Sequence, residues 1–137
     1  MVSESLDKML HDVLADMLSR IKHAELKGKT ELVAQPISKL ALNILGILKK
    51  EGYIDSFEYK DNKRGGTVTI NLNGKINGIG AVKPRYSLKI DEFEKFEKRY
   101  LPAKDFGRLL VSTSSGIITH IDAKEQKKGG VLLAYVY

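Results

Sequence analysis

The residues of this chain most able to do chemistry are its three histidines, a run of hydroxyl side chains and two short glycine-lysine clusters. The histidines are His11, His23 and His120; His11 and His23 lie twelve apart on one helix with no carboxylate-rich cluster joining them at ligand spacing, so solvated or packed rings are expected rather than a metal site. Ser114 and His120 could form a nucleophile and its base. Such a pair needs an orienting acid and an oxyanion hole, and no Gly-x-Ser-x-Gly elbow surrounds Ser114. Gly28-Lys29-Thr30 copies the end of a phosphate-binding P-loop, but the glycine required five positions earlier is replaced by His23, and a helix leads into it where a strand is required. Gly78-Ile79-Gly80 opens a dinucleotide fingerprint that fails at Lys83, where its third glycine belongs. The expectation is no catalysis, no cofactor, no metal and no small-molecule substrate.

The hydroxyl run Ser112-Thr113-Ser114-Ser115, closed by Gly116, admits two readings. It can be a polar turn whose hydroxyls satisfy nearby backbone groups. It can also be a loop of short donors and acceptors that reaches phosphates, 2′-hydroxyls and base edges in a shallow groove. Lys127-Lys128 add charge to the second reading, and Gly129-Gly130 would let a backbone approach a bulky ligand closely.

These residues need elements to position them. Leu6, Met9, Leu10, Val13, Leu14, Met17, Leu18 and Ile21 recur at helical steps, with Ser3 as cap, basic residues at the far end and Gly28 punctuating the turn beyond. Glu31–Gln35 reads as a short strand. Ile37, Leu40, Ala41, Ile44, Leu45 and Leu48 form a second helix opened by Pro36 or Ser38 and followed by Gly52. Tyr53–Lys60 and Thr67–Leu72 read as strands, the second alternating cleanly. Residues 73–80, rich in glycine and asparagine, are the best linker candidate. Beyond them, Tyr86, Leu88 and Ile90 alternate as a strand, and Asp91 to Glu94 caps a short helix carrying Phe93, Phe96 and Tyr100. Leu109–Ser112 reads as a buried strand, Asp122–Lys128 as a short helix and Val131–Tyr137 as a closing strand. The fold class is α+β in two small α/β subdomains: an α-β-α-β-β unit over 1–74 and a β-rich unit with short helices over 75–137.

Composition agrees with a folded, soluble chain: 137 residues, 42% apolar and 29% charged. The absence of cysteine excludes disulfides, a thiol nucleophile and a cysteine-based zinc site. No apolar run is long enough to span a membrane, and the acidic start does not resemble a secretory leader, so a cytoplasmic location is expected. The net charge of +6 is uneven: residues 69–137 hold 12 Lys and Arg against 7 Asp and Glu, a surplus of +5. A polyanion would meet that half.

Val111-Ser112-Thr113-Ser114-Ser115-Gly116-Ile117-Ile118-Thr119-His120, followed by Gly129-Gly130-Val131-Leu132-Leu133-Ala134-Tyr135-Val136-Tyr137, closely resembles the C-terminal signature of the small-subunit ribosomal protein eight family. Glu97 to Ala103 and Ile79 to Tyr86 look like its archaeal and eukaryotic branch. Asp16 to Ile21, Pro36 to Leu40 and Glu51 to Ile54 fit in order. One departure is Asp55-Ser56, where relatives of that branch usually have glycine then glutamate. The resemblance implies a primary rRNA-binding protein of two α/β subdomains that docks on the central domain of small-subunit rRNA beside neighbouring ribosomal proteins, in the cytoplasm. It implies that Ser112, Thr113, Ser114 and Gly116 grip the minor-groove side of an irregular helix. Gly129-Gly130 would be the close-approach turn and Ser38-Lys39 an N-terminal contact. Lys83, Arg85, Lys127 and Lys128 would meet phosphates. A-form RNA presents its 2′-hydroxyls in a wide, shallow minor groove, which small hydroxyl side chains match. The rival readings are a small enzyme built on Ser114 and His120, and a DNA-binding regulator built on the first helix pair. The second helix carries only Lys39 as a charge before its end, which disfavours the regulator.

Overall fold

The computed structural model describes residues 2–34, 39–61, 66–82, 85–103 and 106–137, with side chains from Leu14 onward. The protein is α+β, with helices beside two antiparallel sheets, and it divides into the units Met1–Ile76 and Asn77–Tyr137.

The first unit runs α1 (Val2–Leu26), β1 (Glu31–Ala34), α2 (Lys39–Lys50), β2 (Ile54–Lys60) and β3 (Thr67–Leu72). The expected α-β-α-β-β order is observed. Ser3 lies inside α1 rather than ahead of it; Gln35, Pro36 and Ser38 lie outside the described residues. The sheet order is β1-β3-β2, and the central place of β3 follows from its alternation: Val68, Ile70 and Leu72 are buried. With them, the buried stripes Leu14, Met17, Leu18 and Ile21 of α1, and Ala41, Ile44, Leu45 and Leu48 of α2, make this unit's core. Each large aliphatic side chain so buried stabilises by roughly 1.5–3 kcal/mol. Asp55 is the extra residue of a bulge, because Ile54 pairs with Leu72 and Ser56 with Asn71. The Asn71 amide then donates to the Ser56 hydroxyl at 2.9 Å.

Helices α1 and α2 end alike. Lys29 N–H donates to Ala24 O at 2.9 Å and Gly28 N–H to Glu25 O at 3.1 Å; Tyr53 N–H donates to Leu48 O at 2.9 Å and Gly52 N–H to Lys49 O at 3.1 Å. This double closure requires a left-handed residue after the helix, and Gly28 (φ +70°) and Gly52 (φ +84°) supply it.

The second unit holds β4 (Ile79–Ala81), β5 (Ser87–Leu88), a 3₁₀ turn (Ile90–Glu92), α3 (Phe93–Tyr100), β6 (Arg108–Thr113), β7 (Gly116–Thr119), α4 (His120–Glu125) and β8 (Gly130–Val136). Its sheet order is β4-β8-β6-β7, with β5 also pairing β8. Phe93 and Phe96 of α3, Ala123 of α4 and Leu109, Val111 and Leu132 of the sheet share one buried cluster. Four elements depart from the sequence reading. The end of the expected linker is strand, since Ile79 and Gly80 pair with Val136 and Tyr135. A β-carbon at Gly78 or Gly80 would strike the ring of Tyr137 or Tyr135, so these glycines seat aromatic rings instead of loosening the chain. The expected strand through Ile90 stops at Leu88, because Lys89 N–H donates to the Glu92 carboxylate at 3.0 Å and opens the 3₁₀ turn; Glu92, not Asp91, makes this cap. Residues 116–119 form an additional strand. Finally, α4 starts two residues early, where the Thr119 hydroxyl accepts from Asp122 N–H at 3.2 Å. Among the described residues, no helix is long and apolar enough to cross a membrane.

Candidate nucleic-acid interface

The hydroxyl run is the tip of a hairpin. Ser112 pairs with Ile117 and Thr113 with Gly116 across β6 and β7, leaving Ser114-Ser115 as a two-residue turn. The four hydroxyls have different tasks. Thr113 Oγ1 donates to Gly116 O at 2.9 Å and accepts from Ser115 N–H at 3.1 Å, so it closes the turn. Ser115 Oγ accepts from the Lys128 ammonium. Ser112 is half-buried and Ser114 exposed, and among the described residues no hydrogen bond engages either hydroxyl. The two sequence readings therefore divide along the run: Thr113 satisfies backbone, while Ser112 and Ser114 keep their hydrogen-bonding capacity.

The structure brings the Lys127-Lys128 segment to this tip. Ser112 pairs with Val131 of β8, which places the turn from α4 into β8 beside the hairpin. A β-carbon at Gly130 would collide with the Ser112 carbonyl oxygen, and one at Gly129 with the Leu88 carbonyl oxygen. The close approach that these glycines allow is thus of strand to strand within the protein.

Lys127 is the unusual member. Lys128 N–H donates to Ala123 O at 2.9 Å and Lys127 N–H to Lys124 O at 3.1 Å, the same double closure that ends α1 and α2. Here the left-handed position is filled by Lys127 at φ +56°, the one non-glycine residue with positive φ among those described. A side chain in that region costs about 1 kcal/mol or more relative to glycine. The side chain is exposed. Strain of this kind gathers at functional sites.

Behind the tip, His120 braces the hairpin base. It is 2% exposed, its Nδ1 accepts from Leu109 N–H at 3.0 Å and its Nε2 lies 3.2 Å from Glu97 Oε1. Nε2 therefore carries the proton, and Glu97 in turn meets the Lys124 ammonium. Burial pushes the imidazole below the usual histidine value of 6.5, against the pull of Glu97 and with a smaller push from Lys124 and Arg108. A neutral ring with both nitrogens engaged cannot serve Ser114 as a base. The nucleophile-base pair does not form. Nothing in the sequence spacing marks Glu97, 23 positions upstream, as the partner of His120.

Of the remaining candidates, Arg85 is half-buried two residues ahead of β5, which pairs with Gly130 and Val131 beside the tip. Lys39 is exposed at the start of α2, in the other unit. Ser38 and Lys83 lie outside the described residues.

Residues 12–137 match the family model described as ribosomal protein S8. The chain is 49% identical over 126 residues to the small ribosomal subunit protein uS8 of Archaeoglobus fulgidus, covering 92% of this chain and 98% of the relative. It is 50% identical over 129 residues to the protein of that name from Desulfurococcus amylolyticus, covering 92% and 97%. For the one from Nanoarchaeum equitans the identity is 46% over 129 residues, covering 94% and 100%.

Proposed function

Because the chain belongs to the ribosomal protein S8 family, we propose that it is a structural constituent of the small ribosomal subunit in the cytoplasm. In this reading it binds the central domain of small-subunit rRNA, grips the minor-groove side of an irregular helix, and assists subunit assembly beside neighbouring ribosomal proteins. The family is structural and the chain is not an enzyme.

The observation that carries the RNA contact is Lys127, a cation held at a left-handed position where α1 and α2 each place glycine. It stands at the junction of α4 and β8, one residue before Lys128, whose ammonium meets Ser115 in the hairpin turn beside the exposed Ser114. Short hydroxyls on a rigid two-residue turn suit a shallow groove, and Lys127, Lys128 and Arg85, with Lys83, suit the phosphates on either side. The N-terminal unit would add Ser38-Lys39. The RNA-binding unit is then 75–137, with 1–74 as the supporting subdomain.

The test is binding of the purified chain to a central-domain rRNA fragment that contains an irregular helix. Dissociation constants at or below micromolar are expected, with a log–log salt slope of about −3 if four cations each neutralise a phosphate. Affinity that does not change with salt would remove the phosphate contacts from the account. Equal affinity for a regular duplex of the same length would remove the shape reading.

A further inference from the structure

We propose that the free edge of β1 is a docking site for an extended, acidic polypeptide segment of a neighbouring protein, which adds to the three-stranded sheet as a fourth strand; this rests on the chain's place in the small subunit. β1 ends the sheet, with β3 on one side and no strand on the other among the described residues. Its register with β3 fixes which groups are open. Leu72 N–H donates to Thr30 O at 2.8 Å, and Leu32 lies opposite Ile70 and Ala34 opposite Val68. The even-numbered residues therefore make the ladder bonds, and the N–H and C=O of Glu31 and Val33 point away from β3. Open edges of this kind are templates for a further strand, and proteins that leave them solvated usually shield them with charge, proline or a bulge.

A cleft of about 290 Å³ runs along this edge, lined by Arg20, His23, Ala24 and Lys27 of α1, by Lys29, and by Glu31, Leu32 and Val33. Val33 is 53% exposed, and Leu26 nearby in sequence is 74% exposed. Arg20 is partly neutralised by Asp16, 2.9 Å away. Lys27 and Lys29 are exposed and exceed the single acid Glu31, so the occupant carries carboxylates. The exposed Val33 and the open backbone edge favour a polypeptide over RNA: a strand supplies alternating N–H and C=O groups at the sheet spacing together with side chains for Leu32 and Val33. An RNA backbone, with phosphate acceptors and 2′-hydroxyls, does not present that alternating donor and acceptor pattern.

The experiment is amide hydrogen exchange at Glu31 and Val33, in the free protein and in purified small subunits, with a benzophenone side chain placed at Val33 to crosslink the contact. Strand addition slows both amides by about tenfold or more on assembly and joins residue 33 to a peptide rich in Asp or Glu. Unchanged exchange in subunits that contain the protein overturns the proposal alone. So does a crosslink to rRNA, which would make the cleft a nucleic-acid contact. A chain absent from the subunits overturns the ribosomal reading and this proposal with it.

Discussion

Replacing Lys127 with glycine should make the protein more stable and worse at binding RNA. The backbone at 127 sits at φ +56° to close α4, and glycine removes the β-carbon penalty of about 1 kcal/mol or slightly more. Part of that gain is offset by the greater freedom of glycine in the unfolded chain, which leaves a net stabilisation of about 0.5–1 kcal/mol. For a domain of this size the unfolding midpoint should rise by roughly 2–4 °C. Loss of one phosphate contact flattens the log–log salt slope by about 0.8, so the affinity ratio of wild type to variant should shrink about threefold between 50 and 200 mM salt. Lys127→Ala separates the two effects: it keeps the strain and the wild-type stability but loses the same contact. Calorimetry and filter binding on the three proteins are sufficient. A glycine variant that is more stable yet binds with the wild-type affinity and slope would refute the assignment of Lys127 to the RNA face. One that is less stable would refute the strain argument.

Ser114→Ala should leave the unfolding midpoint nearly unchanged and weaken RNA binding by about 1–3 kcal/mol, because its hydroxyl has no partner within the described residues and would leave one unpaired on the RNA. Thr113→Val, which removes the two bonds that close the turn, should lower stability by about 1 kcal/mol; if instead the serine change destabilises and RNA binding survives, the loop belongs to the fold and not to the site. Gly130→Ala should destabilise by roughly 1–3 kcal/mol, since its methyl group meets the Ser112 backbone and Val111, and chemical denaturation reads this directly. Stability should also fall as the pH drops below about 6.5. His120 is held below that value in the fold, so in this window the unfolded chain binds more protons than the native one, and the contribution is complete only above it. An NMR titration in which the His120 ring protonates at or above 6.5 would contradict the buried, neutral assignment.

The parts of the fold that follow from short-range pattern were legible in the sequence. The helical stripe of α2, that of α1 from Leu14 to Ile21 (Leu6, Met9, Leu10 and Val13 lie outside the described side chains), and the alternation of Val68, Ile70 and Leu72 name the faces that are buried. The glycines after α1 and α2 were readable as punctuation because left-handed closure selects that residue. The strand Gly116–Thr119 escaped because a two-residue turn of serines carries no asparagine-glycine or aspartate-glycine signal. Gly78 and Gly80 misled in the opposite direction: the rings that fill their missing side chains come from Tyr137 and Tyr135, more than fifty positions on. At the site, the hydroxyl run and the two lysines were visible as residue types. Their division of labour was not, because it depends on Thr113 facing its own turn and on Lys128 reaching Ser115 from the turn between α4 and β8. The bond from Leu109 to His120, and that ring's pairing with Glu97, are likewise products of the assembled sheet and helices.

Nuclease protection reads whether this surface selects one region of small-subunit rRNA. Native protein is purified with its bound RNA, the unprotected RNA is digested, and the surviving fragment is sequenced. A single protected fragment from the central domain, folding into an irregular helix, is expected, with a reduced yield of that fragment in Ser114→Ala and Lys127→Ala. A mixture of unrelated fragments, or a protected sequence outside that domain, would contradict that selectivity.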